Sequence, residues 1–484
     1  MKLKALIILT LAILATSAMA QNEDDAIRYS NIVPMGTAKF ISMGGAMGAI
    51  GGDMSAITIN PASAGVYRTD QISLSPMWTT DKVSAKYYDT NTSASTSSFK
   101  FSNAGVVTTF PAEHNLGCVS FTMGLVYNRM ANLEGGYTVK GNNDQSSMLD
   151  KEVDDFNADV WDGNQFYKAD LFVYDSARNK YFNDYELVGR YNAFQRKSVS
   201  TRGSIGEYDI TLGLNFNNKW YLGGSLNIMR INYRQVSKYT EVPNIYNFAF
   251  IDFIVTDEFS TTGGGVNMKL GLIGWLNDNV RVGAAFHTPT ILTLSDDYGT
   301  RVQSNVYYYD DYGEYNKYSE NESNGGVDWN LTLPAKFIGS VALVSSEHGM
   351  LDIDCEVVNY SSTVLDDADN HIGNEYDDLN DRIADIYRTT VNVRVGGEMT
   401  FGPAVARAGF GFYGSPYKRD YVNSSANKLV YSVGLGWRSQ HASLDLGYSL
   451  ATKKETTYLY GFDDSAAKLK RKKGNLALTF GVRF

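Results

Sequence analysis

The last eleven residues, 474-GNLALTFGVRF-484, have the pattern of one β-strand with a single apolar face. Large apolar side chains occupy every second position, at Leu476, Leu478, Phe480, Val482 and Phe484. The positions between them include Asn475, Thr479 and Arg483. A period of two is the period of side chains along a strand, and about 9–11 residues can cross a bilayer as a tilted strand. The stretch therefore predicts a membrane-spanning strand with one face toward lipid.

The same alternation recurs along the chain. It predicts fourteen strands, near residues 69–79, 96–110, 116–130, 206–217, 219–234, 264–276, 279–291, 335–346, 349–359, 388–400, 404–413, 428–438, 441–452 and 474–484. Six short turns alternate with seven long loops, of which 131–205 is the largest. An even strand number with short turns at one end is typical of closed membrane barrels. We therefore predict an all-β fold, a 14-stranded antiparallel transmembrane β-barrel, over residues 67–484.

One alternative is a large secreted β-sandwich, whose strands also alternate. A sandwich does not require long and short links to alternate, so the barrel is the preferred interpretation. The long loops are rich in Asp, Asn, Tyr and Ser, as at Tyr307–Tyr318 and Asp366–Asp381. They are expected to be solvated loops on the outer side of the membrane. No 12-residue loop with calcium-ligand spacing is present in them, so no metal site is predicted.

The first twenty residues have the layout of a secretory signal peptide. Lys2 and Lys4 precede an apolar run over residues 5–15, and Ala18 and Ala20 provide small residues at a cleavage site. The predicted signal peptide is 1–20. Because the terminal Phe484 resembles the signal read by the outer-membrane insertion machinery, that machinery is a predicted partner and the bacterial outer membrane the predicted location.

Charge favours lipid over nucleic acid as a partner. The formal net charge is −10 at pH 7, and nucleic-acid-binding chains are usually basic. The one dense basic run, Lys468–Lys473, lies directly before the last strand. In an exported protein it is expected to meet the phosphates of lipopolysaccharide. Outer-membrane lipid and lipopolysaccharide are therefore predicted partners, and nucleic acid is not.

Residues 21–66, called the hatch, do not have a strand pattern. They are rich in glycine and end in 51-GGDMSAITINPA-62. Dense glycine allows close packing of backbone against backbone, and no Gly-Lys-Ser/Thr follows to make a phosphate loop. We expect a plug inside the lumen, with Asp53, Ser55 and Asn60 bonding the inner wall. Pro61 is expected to hold the chain extended toward the first strand. The residues assigned to the hatch or gate are Gly44, Gly45, Asp53, Ser55, Asn60, Pro61 and Ala62.

Several segments together resemble one family. They are GGDMSAITINPA (51–62), VRVGAAFHTP (280–289), LTLPAKFIGSVAL (331–343), VRVGGEMTFGPAVARAGFGFYGSPY (393–417) and LALTFGVRF (476–484). They resemble the FadL/TodX family of outer-membrane transporters for long-chain fatty acids and other hydrophobic compounds. The resemblance implies a fourteen-stranded barrel closed by a hatch, and ligand capture near the outer loops. It also implies a lateral exit at a kinked strand, for which Gly117 and Gly124 are candidates.

The function implied is passive, hatch-gated uptake of hydrophobic small molecules such as long-chain fatty acids. Two alternatives stay open: a non-transporting interaction protein of the same fold, with a cargo or secretion-shuttle role, and a receptor for haemin or aromatic compounds. The five histidines are scattered, so no catalytic triad or metal cluster can be assembled from them. We therefore predict no enzyme activity, no catalytic residue and no cofactor.

Overall fold

The structure is a computed structural model that describes residues 21–112, 117–159, 163–244, 250–310, 313–345, 347–368 and 376–484. The predicted signal peptide lies outside the described residues. The helices are α1 (Glu23–Arg28), α2 (Ala38–Ser42), α3 (Met148–Ala158), α4 (Gln165–Lys168), α5 (Asp184–Val188) and α6 (Asp377–Ile386), with 3₁₀ turns at Ala56–Thr58, Pro61–Val66, Tyr360–Ser362 and Asp463–Ser465. None of the helices in these ranges is both long and apolar enough to cross a membrane.

The described ranges contain twenty strands. They are β1 (Gln71–Tyr87), β2 (Thr90–Pro111), β3 (Cys118–Asn132), β4 (Gly135–Asn143), β5 (Val173–Asp175), β6 (Lys180–Phe182), β7 (Ala193–Phe216), β8 (Trp220–Pro243), β9 (Phe250–Trp275), β10 (Val280–His287), β11 (Thr290–Asp310), β12 (Gly313–Leu333), β13 (Lys336–Ser345), β14 (Gly349–Asn359), β15 (Val364–Asp367), β16 (Thr389–Phe401), β17 (Ala404–Tyr413), β18 (Lys428–Arg438), β19 (Ala442–Tyr458) and β20 (Ala466–Arg483).

Fourteen of these strands form one closed antiparallel wall. Their order around the barrel is β1, β2, β3, β7, β8, β9, β10, β13, β14, β16, β17, β18, β19 and β20, and β20 pairs again with β1. The predicted 14-stranded antiparallel β-barrel is confirmed. The sandwich alternative is wrong, because the wall is a single closed sheet rather than two sheets packed face to face.

The outward side chains of the wall are large and apolar. On β1, Ile72, Leu74 and Trp78 are exposed, whereas Ser73 and Ser75 between them are buried. An apolar belt of this extent around a closed barrel is stable only where lipid covers it. The protein is therefore a β-barrel of the bacterial outer membrane, as predicted.

Many wall strands extend further outward than the sequence pattern predicted. β1 continues to Tyr87 instead of residue 79, and β8 continues to Pro243 instead of residue 234. Beyond the lipid belt the outward positions are polar, so the apolar alternation ends there while the hydrogen-bonded ladder continues. The pattern located the membrane-spanning part of each strand but not its outer end.

Six strands were not predicted, and β4 and β11 among them prolong the wall. β4 continues β3 along β7, and β11 continues β10 along β9. The break between β10 and β11 contains Pro289, which has no backbone N–H to donate to a ladder. β11 pairs with β12 in a long hairpin, and β15 pairs with β12. This long link is therefore a β-hairpin and not an irregular loop, although exposed residues such as Tyr318 agree with its expected solvation.

Residues 144–159 and 163–192, called the cap, are also folded. α3, α4 and α5 bury an apolar core that includes Leu149, Val153 and Phe156. The core continues onto inward side chains near the outer ends of the wall strands, among them Val83, Tyr87, Tyr239, Phe253, Val302 and Leu469. Because these strands lie around the barrel, the cap fills the outer end of the lumen. The predicted loop 131–205 is polar overall but contains apolar residues at helical spacing, and these residues form the buried core of the cap. Its description as a solvated loop is therefore wrong.

Candidate functional site: the hatch and the lumenal cavity

The hatch contacts the inward face of the wall, and almost all of residues 35–65 are buried. α2 begins after Thr37, whose side chain accepts a hydrogen bond from the Phe40 amide. The Ala38 amide donates to the Thr479 hydroxyl of β20 at 2.7 Å. Three strands further around the wall, the Ser55 hydroxyl donates to Asn128 Oδ1 of β3 at 2.8 Å.

Wall glycines allow this close approach. A Cβ added at Gly409 would lie 2.3 Å from the Gly44 nitrogen, and one at Gly223 would lie 2.3 Å from the Ala62 nitrogen. Eight wall glycines, each on a different strand, would place an added Cβ within 2.5 Å of a hatch atom: Gly213, Gly223, Gly271, Gly283, Gly396, Gly409, Gly434 and Gly447. We call them the glycine belt. A strand glycine commonly marks such a contact between backbones.

The two hatch glycines predicted from the sequence have left-handed backbones. Gly44 has φ +66° and Gly45 has φ +77°. A Cβ at Gly44 would lie 3.0 Å from the Phe410 nitrogen of β17, and one at Gly45 would lie 3.3 Å from the Phe40 ring. Both positions therefore need glycine for conformation, and Gly44 needs it for contact with the wall as well.

Asn60 joins the hatch to the wall. Its Nδ2 donates to the Gly48 carbonyl at 2.8 Å and to the Leu272 carbonyl of β9 at 3.1 Å. Its Oδ1 accepts from the Ala62 amide at 3.1 Å. The side chain thus uses both donors and one acceptor in a buried position, as the sequence led us to expect.

Asp53 and Pro61 differ from expectation. Asp53 bonds within the hatch, accepting from the Thr37 hydroxyl at 2.7 Å and the Ser55 amide at 2.8 Å, so it does not contact the wall through these bonds. Burial raises the pKa of the Asp53 carboxyl, although these bonds favour its charged form. Pro61 does not prolong an extended segment, because it begins the 3₁₀ turn that Asn60 caps. A proline is favoured there since the first helical N–H has no partner.

Two inward carboxylates of β14 hold the middle of the hatch. Asp354 accepts from the Met47 amide at 3.2 Å and the Gly48 amide at 3.1 Å, and Asp352 accepts from the Ala49 amide at 3.2 Å. Arg394 of β16 lies 3.5 Å from Asp354. Sequence reasoning missed these carboxylates. The available signal was two acidic residues at successive inward positions of a strand whose outward residues are apolar.

A cavity of about 290 Å³ lies between the hatch, mainly its segment 27–35, and strands β3, β18, β19 and β20. Much of its surface is apolar, with contributions from Ile27, Ile32, Pro34, Met35, Leu133 and Val430. The volume is close to the lower end of the range for small-molecule pockets. The cavity includes Gly44 and Gly45, so one of its sides is formed by the predicted gate segment.

The polar part of this cavity is mainly cationic. Five basic residues and one acidic residue line it: Arg28, Lys428, Lys453, Arg471, Lys473 and Glu455. Lys453 pairs with Glu455, and Lys473 donates to the Asn132 carbonyl. An ammonium group has three N–H donors, so Lys473 can also donate a hydrogen bond to an oxygen atom of a ligand. In the sequence, the signal for this cluster was that Arg471 and Lys473 are at alternate positions with Asn475, on the inward face of the last strand.

The candidate kink glycines are not at irregular points of β3. Gly124 pairs with Val107 on one side and Thr211 on the other, and both ladders continue through it. Gly117 has φ +79° and precedes the strand. The register shifts of β3 lie instead at Cys118/Ser120 and Arg129/Ala131. Gly124 therefore lies at a regular point of both ladders, and its role as a kink point stays a prediction.

In the ranges that the structure describes, no group of three His, Cys, Asp or Glu side chains is placed to hold a metal ion.

The fold is similar to those of solved transport proteins. A Pseudomonas aeruginosa FadL homologue matches with a TM-score of 0.55 at 15% identity, over 94% of this chain and 99% of that one. The P. putida toluene transporter TodX matches with a TM-score of 0.54 at 12% identity, over 93% and 99%. The monoaromatic hydrocarbon channel CymD gives 0.50 at 12%, over 94% and 99%. No protein-family model and no curated protein matches the sequence. The likeness establishes a shared fold.

Proposed function

We propose that the protein is a passive outer-membrane channel for hydrophobic small molecules, and that the 290 Å³ cavity beside Gly44 and Gly45 is its ligand site. The observation that carries the proposal is a largely apolar cavity beside the hatch of a lipid-embedded barrel. Apolar compounds cross the polar outer surface of this membrane poorly, and burying apolar area contributes about 25 cal/mol per Å². The named functions of CymD and TodX are consistent with this role.

The preferred ligand is an amphiphile with an anionic end, such as a long-chain fatty acid. The cavity offers an apolar lining for the chain and an excess of basic side chains for a carboxylate. A carboxylate placed near Lys473 and Lys428 would form charge-assisted hydrogen bonds, which are stronger than those between neutral groups. A neutral aromatic hydrocarbon would use only the apolar part.

The hatch is the gate in this proposal. The glycine belt brings the hatch backbone against the wall, and the cap fills the outer end of the lumen. Passage of a ligand therefore requires the hatch to shift and the cap to admit the ligand. We expect no turnover of the ligand.

The test is uptake of a labelled long-chain fatty acid and of labelled toluene by a strain that lacks the gene, with and without the gene restored. Val430→Phe, which narrows the cavity, should reduce uptake of the preferred compound at least fivefold. Val433→Phe is the matched control, because Val433 lies on the same strand but is 57% exposed on the outward face. Heat-dependent electrophoretic mobility checks that both variants form barrels. Equal uptake with and without the protein, for both compounds, would contradict the channel.

A second pair of variants tests the anionic end of the ligand. Lys473→Gln should weaken uptake of the fatty acid about tenfold and leave toluene uptake unchanged, since only the acid carries a charge. Lys472→Gln is the matched control, because Lys472 is the adjacent residue and is exposed on the outward face. If Lys473→Gln lowers uptake of both compounds equally, the carboxylate is not recognised at this position.

A further inference from the structure

Six lysines form one patch on the outward surface of the barrel. They are Lys82 and Lys86 on β1, Lys454 on β19, and Lys468, Lys470 and Lys472 on β20, and all six are exposed. We call them the lysine patch. Strand register brings them together, because Lys82 lies opposite Lys472, Lys86 lies opposite Lys468, and Lys454 lies opposite Lys470.

The patch has no counter-charge of its own. In the described part of the chain, none of the six lysines forms an ion pair with a carboxylate, although their neighbours Arg471 and Lys453 do. The side chains opposite β1 on β2 are neutral, with Ser95 opposite Lys82 and Asn91 opposite Lys86. Like charges directly opposite each other on paired strands are destabilising. A bound anion would relieve this repulsion.

The patch lies just beyond the lipid belt, on the outer side of the membrane. Trp78, Leu476 and Tyr448 face one another across β1, β20 and β19 and are exposed members of the belt. Lys82 and Lys472 lie four residues further along their strands, about 14 Å as measured along the tilted strand. The direction from the belt to these lysines leads away from the C-terminus and the short turns, and therefore toward the outer surface of the membrane.

We propose that the lysine patch binds the phosphorylated headgroup of lipopolysaccharide in the outer leaflet, with the acyl chains packed on the belt at Trp78 and Tyr448. A lysine ammonium binds phosphate as a compact point charge. A groove of about 660 Å³ provides a concave site for the headgroup; Lys86, Lys454, Lys468 and Lys470 line it together with one carboxylate, Glu455, which pairs with Lys453. A lipid is favoured over a soluble anion because the cationic and apolar surfaces are continuous on the same three strands.

The structure also divides the basic run that the sequence indicated. Lys468, Lys470 and Lys472 point outward, whereas Arg471 and Lys473 line the lumenal cavity. Alternation along β20 thus gives adjacent residues two different partners. One set is assigned to membrane lipid and the other to the proposed transported ligand, so the two roles can be separated by mutation.

The experiment measures binding of lipopolysaccharide to the purified full-length barrel in detergent micelles. The patch variant is Lys468→Gln, Lys470→Gln and Lys472→Gln together. The control variant removes the same charge from exposed lysines elsewhere, by Lys168→Gln, Lys219→Gln and Lys238→Gln. The patch variant should bind about a hundredfold more weakly, on the order expected for three lysines facing anionic lipid. The control variant should bind within about twofold of the unmodified protein, since surface charges more than a Debye length away are screened.

Two further arms identify the source of the anion. Lipopolysaccharide whose phosphates have been removed by phosphatase should bind the unmodified barrel as weakly as intact lipopolysaccharide binds the patch variant. Inorganic phosphate at the same phosphate concentration should not compete. Equal binding by the patch and control variants, equal binding of the dephosphorylated lipid, or full competition by free phosphate would each overturn the proposal. Uptake of the labelled fatty acid by the patch variant tests the proposed channel separately.

Discussion

At the scale of single residues, the hatch depends on buried polar groups that have specific partners. Asn60 makes three hydrogen bonds that join two parts of the hatch and strand β9. Asp354 accepts from two consecutive hatch amides, and Asp352 accepts from the next one. Each of these side chains satisfies backbone groups that would otherwise be buried without partners. Removing one of these side chains leaves the backbone groups buried without a partner, which lowers the stability of the hatch by about 1–3 kcal/mol.

Asn60→Ala should therefore loosen the hatch without unfolding the barrel. The variant leaves the Gly48 and Leu272 carbonyls and the Ala62 amide without the side chain that bonds them. Hydrogen exchange should show hatch amides near Gly48 opening about tenfold more often or more, in line with a loss of about 1–3 kcal/mol. Asn91→Ala, at an exposed position on β2, should leave exchange unchanged. Wild-type exchange rates in Asn60→Ala would show that these bonds do not hold the hatch.

At the scale of elements, the hatch and wall fit because glycine residues on both remove side chains from the contact. The glycine belt occupies eight wall strands, and the partner atoms on the hatch are largely backbone. Main chains can approach this closely only where no Cβ intervenes. The arrangement also leaves the hatch bound by many short contacts instead of a few long side chains, which makes its position sensitive to one added methyl group.

Gly409→Ala is expected to displace the hatch. The added Cβ would lie 2.3 Å from the Gly44 nitrogen and from the Met43 carbonyl carbon, so backbone must move. Overpacking of this kind costs about 1–3 kcal/mol, which a denaturant titration in micelles would measure. Gly339→Ala is the matched control, because a Cβ there meets nothing within 4 Å, and its effect should be within about 0.5 kcal/mol. Equal stability of the two variants would contradict the tight contact.

At the scale of the whole molecule, a closed wall surrounds two folded inserts. The hatch, which is the N-terminal segment, occupies the lumen, and the cap packs among the outer ends of the strands. A fourteen-stranded barrel is too wide for wall side chains alone to fill, since about eight strands is the limit. The lumen is therefore divided by the inserts, and the described cavity of about 290 Å³ lies beside the hatch.

Locking the hatch to the wall should stop transport if the hatch is the gate. A Cβ at Gly48 lies 3.1 Å from the Ser340 Cβ on β13, close to the separation of about 3.5–4.5 Å in a disulfide. Gly48→Cys with Ser340→Cys, in a Cys355→Ser background, should lose uptake of the labelled acid when oxidised and regain it on reduction. The reduced form of the same variant is the control, since it carries the same packing change. Equal uptake in both redox states would show that passage does not require this contact to open.

The amino-acid sequence by itself determined the strand number, the closed barrel and the face of each strand that meets lipid. These follow from a period of two and from the alternation of short and long links, which are properties of nearby residues and their solvent. It also identified Gly44, Gly45 and Asn60 in a segment too rich in glycine for a strand. What only the tertiary structure decided depends on residues far apart in the chain. Gly409 acts as a spacer because Gly44 lies against it.

The cavity, the cap and the outer ends of the strands also depend on residues that are far apart in the chain. Lys473 belongs to a lumenal cavity because Asn132 and Met35 lie near it, and Lys472 belongs to the surface because Lys82 pairs with it on the next strand. Alternation in the sequence separates these two lysines, but it does not say what faces either of them. Closure of the wall brings those partners together, and no local pattern contains that information.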